Sequence, residues 1–363
     1  MVIEQTFWEG RRVFLTGHTG FKGAWMSLVL SRLGAEVYGY ALPPDNAAGL
    51  FEAAGVANDM HHRLGDVRDF SALRTAVAEA RPSIVVHMAA QALVRPSYAD
   101  PVGTYATNVM GTVHLLEAVR QTPGVEGVVV VTSDKCYENV GWVWGYREAD
   151  RLGGHDPYSN SKGCAELVAE AYRRSFFSSG GACSVASARA GNVIGGGDWG
   201  LDRLVPDAMR AFTAGEVLRI RNPSAVRPWQ HVLDPVLAYL LLAERLASAD
   251  ESMAEGWNFG PGPASEVPVR HIVENIIQLW GGSAQWEFDD DCHVHEAAYL
   301  KLDCTKAASR LGWRPVLDLA NSLRLTVEWY RAQSSGADMR ELTMRQIDLV
   351  LDRNELPRQA AAE

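Results

Sequence analysis

The sequence predicts an α/β protein built on a doubly wound parallel sheet, followed by a smaller C-terminal substrate-binding lobe. Three observations predict it. Short, nearly all-apolar runs recur through the first half of the chain, stretches of helical spacing separate them, and a glycine-rich turn joins the first run to the first helix. Runs of that kind are strands buried on both faces of a parallel sheet, and their alternation with helices gives a doubly wound domain.

Taken in order, Arg12-Thr16, Glu36-Tyr40, Ile84-Met88, Gly127-Thr132 and Ser184-Arg189 read as strands, with a further short strand before Asp66. Between them, Lys22-Leu33, Asp69-Ala80, Val102-Arg120 and Tyr158-Phe176 have helical spacing, and Gly34 is placed as a helix stop. Beyond about residue 190 the rhythm loosens. Gly195-Gly196-Gly197 precedes helices near Leu204-Ala214 and Pro235-Leu246, with strands near Val217-Ile220 and Gly256-Gly260. The expected division is a dinucleotide-binding domain over 1–190, a substrate lobe over 191–335 with some chain crossing back to the sheet, and a C-terminal helix and tail over 336–363, the helix near Asp338-Leu351.

With 363 residues, 47% of them hydrophobic, the chain is long enough to bury a large core. A net charge of -10 and no basic run argue against a nucleic-acid partner, because phosphate neutralisation needs clustered Lys and Arg. Five cysteines (Cys136, Cys164, Cys183, Cys292, Cys304) form an odd set with no CxxC pair, which suggests neither a disulfide framework nor a metal site and fits a reducing cytoplasm. Met1 to Arg12 lacks the basic-then-apolar pattern of a secretory signal, and apolar runs such as Val236-Ala243 are too short to span a bilayer.

The strand Arg12-Thr16 runs straight into Gly17-His18-Thr19-Gly20-Phe21-Lys22-Gly23 and then a helix. Glycines here permit a tight turn and a close backbone approach, while free N–H groups and the helix dipole attract a pyrophosphate. This is the signature of a Rossmann-type nucleotide site, with Gly17, Gly20, Phe21, Lys22 and Gly23 as cofactor contacts. The second strand ends in Tyr40-Ala41-Leu42-Pro43, offering neither the usual ribose-binding carboxylate nor an arginine, and NAD is preferred over NADP. Asp66, with Val67 beside it, is placed either to accept from an adenine amino group or to cap the helix that follows. Ala89 and Ala90, after His87-Met88, are small enough to let the backbone pass under a cofactor.

Tyr158-Ser159-Asn160-Ser161-Lys162 sets a phenol and an ammonium one turn apart on one helix face. A tyrosine of ordinary pKa near ~10 is a poor base at neutral pH, so a neighbouring cation is the requirement for taking a proton from an alcohol. The strand Gly127-Val131 ends in Thr132-Ser133-Asp134-Lys135-Cys136-Tyr137, at the strand end where open α/β sheets bind ligands. Ser133 is placed to hydrogen-bond the reacting hydroxyl.

Glycine loop, strand-end Ser, Tyr and Lys in this order resemble the extended short-chain dehydrogenase/reductase superfamily, and Asn108 in Asn108-Val109-Met110-Gly111-Thr112 matches its structural asparagine. His18-Thr19-Gly20-Phe21-Lys22-Gly23 with Ser133-Asp134-Lys135-Cys136-Tyr137 is similar to the sugar-nucleotide 4,6-dehydratases over roughly residues 7–330. Most of these carry Asp-Glu after the strand-end hydroxyl; here the pair is Asp134-Lys135, as in the branch acting on CDP-glucose. The resemblance implies oxidation at C4 by NAD with Tyr158 as base, loss of water across C5 and C6 with Asp134 as acid, and hydride return to C6, giving CDP-4-keto-6-deoxyglucose. Lys135 takes the C5 proton if its amine is neutral, or only orients.

The same resemblance places Asn192 at a substrate phosphate, Arg203 and Leu204 at the nucleotide, Arg227 on the diphosphate, and Asn258 and Tyr299 at further nucleotide or diphosphate contacts. It also implies a homodimer through helices Val102-Arg120 and Tyr158-Phe176. Three alternatives stay open: a sugar-nucleotide 4-epimerase, which shares the hydride cycle; a 4,6-dehydratase of a dTDP-, UDP- or GDP-linked sugar; and a non-catalytic dinucleotide-sensing or scaffold protein on the same fold.

Overall fold

The computed structural model describes residues 3–177, 183–248, 250–289 and 299–355. Seven strands make the central sheet: β1 (Arg12–Thr16), β2 (Glu36–Ala41), β3 (His61–Leu64), β4 (Ile84–His87), β5 (Gly127–Val131), β6 (Ser184–Arg189) and β7 (Gly256–Asn258). Their order is β7-β6-β5-β4-β1-β2-β3, every pairing parallel. The order reverses between β1 and β4, which opens a crevice at their carboxyl ends where α/β sheets bind ligands.

Among the described residues the helices of ten or more residues are α1 (Phe21–Arg32), α2 (Phe70–Ala80), α3 (Gly111–Arg120), α4 (Pro157–Phe176), α5 (Leu204–Ala214), α6 (Leu233–Ala247), α7 (Val269–Trp280), α8 (Leu319–Ser334) and α9 (Met339–Glu355). Alternate side chains of each strand serve two cores. Val128 and Val130 pack with Leu73, Leu115 and Ala169 from α2, α3 and α4. Val129 and Val131 pack in a second cluster with Trp25 of α1 and Val236 and Leu240 of α6. All five residues of β5 are buried, and at about 1.5–3 kcal/mol for each fully buried apolar side chain its four valines fix the strand whose end carries the site.

The apolar runs predict β1, β2, β4, β5 and β6 to within a residue at either end, the run Gly256-Gly260 overshoots β7 by two residues, and the short strand before Asp66 is β3, an edge strand with all four residues exposed. Gly34 ends α1 at φ +85°, a conformation that favours glycine. The expected helix over 102–120 is interrupted: Pro101–Tyr105 passes into a single π turn, Ala106–Met110, before α3. Asn108 sits in that turn, its Oδ1 accepting from Gln91 N at 2.8 Å and its Nδ2 donating to Ser161 Oγ on α4 at 2.8 Å.

The segment 191–335 is not confined to one side of the molecule, since α6 covers β5 and β6 and β7 extends the sheet beyond β6. Helices α7 and α8 escaped the sequence reading. Among the described residues no helix is long and apolar enough to cross a membrane, and no group of three His, Cys, Asp or Glu is arranged to hold a metal ion.

Candidate active site

A single cleft of about 1790 Å³ runs over the carboxyl ends of β1, β4, β5 and β6. Single-ligand pockets run to about 1,000 Å³, so this cleft has room for a dinucleotide and a second nucleotide together. Its lining includes Gly17, Gly20, Phe21, Lys22, Gly23, Asp66, Val67, Ala89 and Ala90 on one side, and Asn192, Arg203, Leu204 and Arg227 on the other. Ser133, Asp134, Lys135, Tyr158 and Lys162 lie along it as well.

The glycine loop is tightly wound. Gly17 has φ +76°, and a Cβ there would meet Ala89 N at 2.7 Å; a Cβ on Gly23 would meet Gly17 O at 2.1 Å. Thr16 ties this loop to the end of β4, its Oγ1 accepting from Met88 N and Ala89 N at 3.1 Å each. Gly20 caps α1 without a side-chain hydrogen bond, which leaves the first-turn N–H groups of the helix available to an anion. His18 is buried with its Nε2 2.6 Å from His62 Nδ1, and burial together with His62 lowers its pKa to about 3, so it stays neutral. Asp66 accepts from Arg68 N at 2.9 Å and pairs with the Arg68 guanidinium, which holds its carboxyl below the usual range. The capping alternative for Asp66 is corrected, because Asp69 is the residue that caps α2, accepting from Ala72 N at 3.0 Å.

Asp156 caps α4 by accepting from Ser159 N, and Pro157 fits the first turn, where no N–H is needed. That fixed start aims Tyr158 and Lys162 at the end of β5. Lys162 Nζ donates to Val131 O at 3.4 Å. Burial lowers the Lys162 pKa to about 7, with Lys22 adding to the effect and Glu166 opposing it. Tyr158 is pushed up to about 12 by burial, with a Ser133 hydrogen bond opposing. Ser133 opens a 3₁₀ turn, donating to Asp134 Oδ1 at 3.0 Å and accepting from Lys135 N at 3.2 Å. Asp134 is buried, and its Oδ2 has no hydrogen-bond partner. Lys135 Nζ stands 5.9 Å from the Tyr158 ring centroid. Lys22, half-buried and lowered to about 8 by desolvation and then by Arg203, is the second lysine here.

At the far end, Asn192 adopts φ +46°, uncommon for a residue with a side chain. Arg203 pairs with Asp198 at 2.8 Å just before α5, and Arg227 donates to Val226 O at 2.9 Å. Two predicted contacts are not brought to the cleft. Asn258 is fully buried, its Nδ2 donating to Tyr146 O and Asp303 O and its Oδ1 accepting from the Tyr137 hydroxyl. Tyr299 bridges to Val226 beside the cleft but is not part of its wall. Residues that sequence reasoning missed include Arg95, Asp198 and Arg221 in the wall. None carries a local motif; Asp202, which pairs with Arg95 at 3.0 Å, brings the first of them to the site from a distant stretch of chain.

A dinucleotide cradle facing a buried tyrosine, lysine and serine across a two-nucleotide cleft defines an extended short-chain dehydrogenase/reductase. The profile of the GDP-mannose 4,6 dehydratase family matches residues 14–326, and the chain belongs to that family. A CDP-glucose 4,6-dehydratase of Salmonella typhimurium (strain LT2) is 52% identical over 350 residues, covering 95% of this chain and 98% of that one. A dTDP-glucose 4,6-dehydratase of Streptomyces antibioticus is 31% identical over 74% of this chain and 75% of that one. Among solved structures, DesIV, the dTDP-glucose 4,6-dehydratase of Streptomyces venezuelae with NAD and TYD bound, superposes with a TM-score of 0.75 at 26% identity, covering 90% of this chain and 98% of that one.

Proposed function

We propose that this chain is a hydro-lyase that converts CDP-glucose to CDP-4-keto-6-deoxyglucose with NAD as a recycled cofactor. The observation that carries the reading is the Asp134-Lys135 turn: a buried carboxyl with one unpartnered oxygen and a lysine amine, both beside Tyr158 in one cleft. A 4-epimerase has no use for an acid at C6. The choice of CDP-glucose is supported by the 52% identical relative from Salmonella typhimurium.

The residues present fit NAD. The Gly17 and Gly23 positions leave no space for side chains, the first turn of α1 offers free N–H groups, and Asp66 and Val67 line the same cleft. When bound, NAD supplies the hydride acceptor for C4 and the hydride donor for C6.

Tyr158 Oη takes the proton of the sugar 4-hydroxyl, the Lys162 ammonium stabilises the phenolate, and Ser133 Oγ holds the reacting oxygen. The resulting ketone acidifies the proton on C5. Lys135 is assigned that proton, and protonated Asp134 delivers its own to the departing 6-hydroxyl, so that water leaves across C5 and C6. Arg203 and Arg227 hold the diphosphate at the other end of the cleft, where planar guanidinium suits paired phosphate oxygens.

We further assign 1–190 to cofactor binding, 191–335 to the nucleotide sugar and 336–363 to a flanking helix and tail. A homodimer is supported by the exposed Val102 and Met110 beside α3 and by Leu167 and Phe176 on α4. A cytoplasmic location is supported by the free thiols Cys136, Cys164, Cys183 and Cys304; Cys292 lies outside the described residues. The experiment is to incubate the protein and NAD with CDP-, dTDP- and UDP-glucose and with GDP-mannose. A 4-keto-6-deoxy product from CDP-glucose is expected. No turnover of CDP-glucose, or a product that keeps its 6-hydroxyl, overturns the reading.

A further inference from the structure

The groups assigned to C4 oxidation sit on two elements. Tyr158 and Lys162 belong to α4, whereas Ser133 follows β5, so their separation depends on what ties the helix to the strand end. Three successive residues at that end each meet α4: Val131 O accepts from Lys162 Nζ at 3.4 Å, Thr132 Oγ1 donates to Glu166 Oε1, and Ser133 bonds Tyr158. Glu166 stands one turn beyond Lys162, so Tyr158, Lys162 and Glu166 form one buried stripe at i, i+4 and i+8. Its other oxygen accepts from Ser187 Oγ at 2.6 Å and Arg189 Nη2 at 2.7 Å, both on β6. One carboxylate therefore binds α4, β5 and β6 directly behind the reacting groups.

We propose that Glu166 is a positioning residue for C4 oxidation, fixing the strand end that bears Ser133 against the helix that bears Tyr158 and Lys162 and supplying the negative charge that balances Lys162 against Lys22. The assignment rests on the oxidation step proposed above. Glu166 stays ionised: burial alone would raise its pKa, but Arg189, Ser187 and Thr132 together hold it below the ordinary value. The groups facing Lys162 are Lys22 on α1, His87 at the end of β4, Cys136 after β5 and Glu166 on its own helix. Lys22 opposes the Lys162 charge, Glu166 and Cys136 favour it, and buried His87 is neutral with its pKa lowered to about 3. Arg189 also donates to the Tyr137 hydroxyl at 2.6 Å, which spreads its charge over a second acceptor.

The sign follows from these neighbours. Removing the Glu166 charge makes Lys162 give up its proton at lower pH, and the competent form is the one with Lys162 protonated. In Glu166→Gln the alkaline limb of the kcat profile is expected to move about one pH unit lower, with kcat at pH 8 falling at least about tenfold and KM for the nucleotide sugar unchanged. Glu166→Asp keeps the charge with a shorter reach, so the limb returns to its original pH while kcat stays reduced. Glu166→Gln combined with Arg189→Met removes both charges and is expected to show the same displaced limb without a buried, unpaired guanidinium.

Unchanged kcat and limb in Glu166→Gln overturn the proposal, as does a loss of activity that comes with weakened NAD binding and an unmoved limb. If the Glu166 variants do not fold, Thr132→Val deletes the same tie from the strand side, and an unchanged kcat there overturns the proposal. Unmodified protein is assayed alongside: no C4 oxidation by it would sink the proposed function itself, whereas turnover with indifferent Glu166 variants sinks only this inference.

Discussion

The carboxyl of Asp134 packs against the bare Cα of Gly191, so closely that a Cβ built on Gly191 would meet Oδ2 at 1.8 Å and Cγ at 2.0 Å. Gly191 lies just after β6 and Asp134 just after β5, and the neighbouring strands bring them together. Gly191→Ala therefore forces Asp134 out of its place. A displacement of about 1 Å at a reacting group costs on the order of 100-fold in rate. The expected outcome is a kcat for the 4-keto product lowered by about that factor, with NAD affinity, measured by fluorescence quenching, unchanged.

Asp134 and Tyr158 serve different halves of the proposed reaction, and single-turnover absorbance at 340 nm separates them. Asp134→Asn keeps Tyr158, Lys162 and Ser133 intact, so C4 oxidation is expected to proceed and reduced cofactor to accumulate while dehydrated product does not form. Tyr158→Phe removes the base for the first step. It should lower the rate of both signals by 10²–10⁴-fold, the usual contribution of a positioned proton acceptor. Equal loss of both signals in Asp134→Asn would assign Asp134 to the first step instead.

How far the site was legible in the sequence depended on whether local chemistry or tertiary contact placed each residue. Strand β5 is four consecutive valines after a glycine, and its polar ending is visible as Ser133-Asp134-Lys135 without any structure. The glycine loop and the Tyr158/Lys162 spacing are legible for the same reason, since one turn or one helix fixes them. Asn258 was misplaced because its sequence neighbours say nothing about Tyr137 and Tyr146, which reach it from more than 100 residues away. Glu166 looks like an ordinary helical glutamate until β6 supplies Ser187 and Arg189. The π turn at Ala106–Met110 left no mark in the pattern, because one extra residue in a turn barely disturbs helical periodicity.

Away from the cleft, Glu244 on α6 gives a pH dependence of stability. It is nearly buried, accepts from Trp8 Nε1 at 2.6 Å and Glu4 N at 3.1 Å, and burial pushes its pKa up to about 7 despite those two hydrogen bonds. An unfolded glutamate loses its proton near ~4.3, so between there and about 7 the folded chain holds the extra proton. Stability contributed at this site is thus present at low pH and is lost as pH rises through that window. Glu244→Gln keeps an acceptor for Trp8 and removes the charge. Urea midpoints should show the variant more stable by about 3–4 kcal/mol at pH 8 and no different at pH 4; equal midpoints at both pH values would contradict the assignment.

The exposed face of α4 carries Leu167, with Ala171 one turn further on, and Phe176 near its end, while Val102 and Met110 are exposed on the neighbouring helical stretch. A monomer gains nothing from presenting these side chains to water, and covering them with a second copy of the same two helices would bury each at about 25 cal/mol per Å² of apolar surface. A two-fold axis between the helix pairs makes the patch its own partner, which is the usual geometry of a homodimer. Leu167→Glu with Met110→Glu places four carboxylates in that face of the dimer, where burying unpaired charge is strongly unfavourable. Light scattering after size exclusion should report twice the chain mass for the unmodified protein and one chain mass for the double variant. Because the cleft is built within one chain, the monomeric variant is expected to bind NAD as the dimer does, and a monomeric mass for the unmodified protein at all concentrations would rule the interface out.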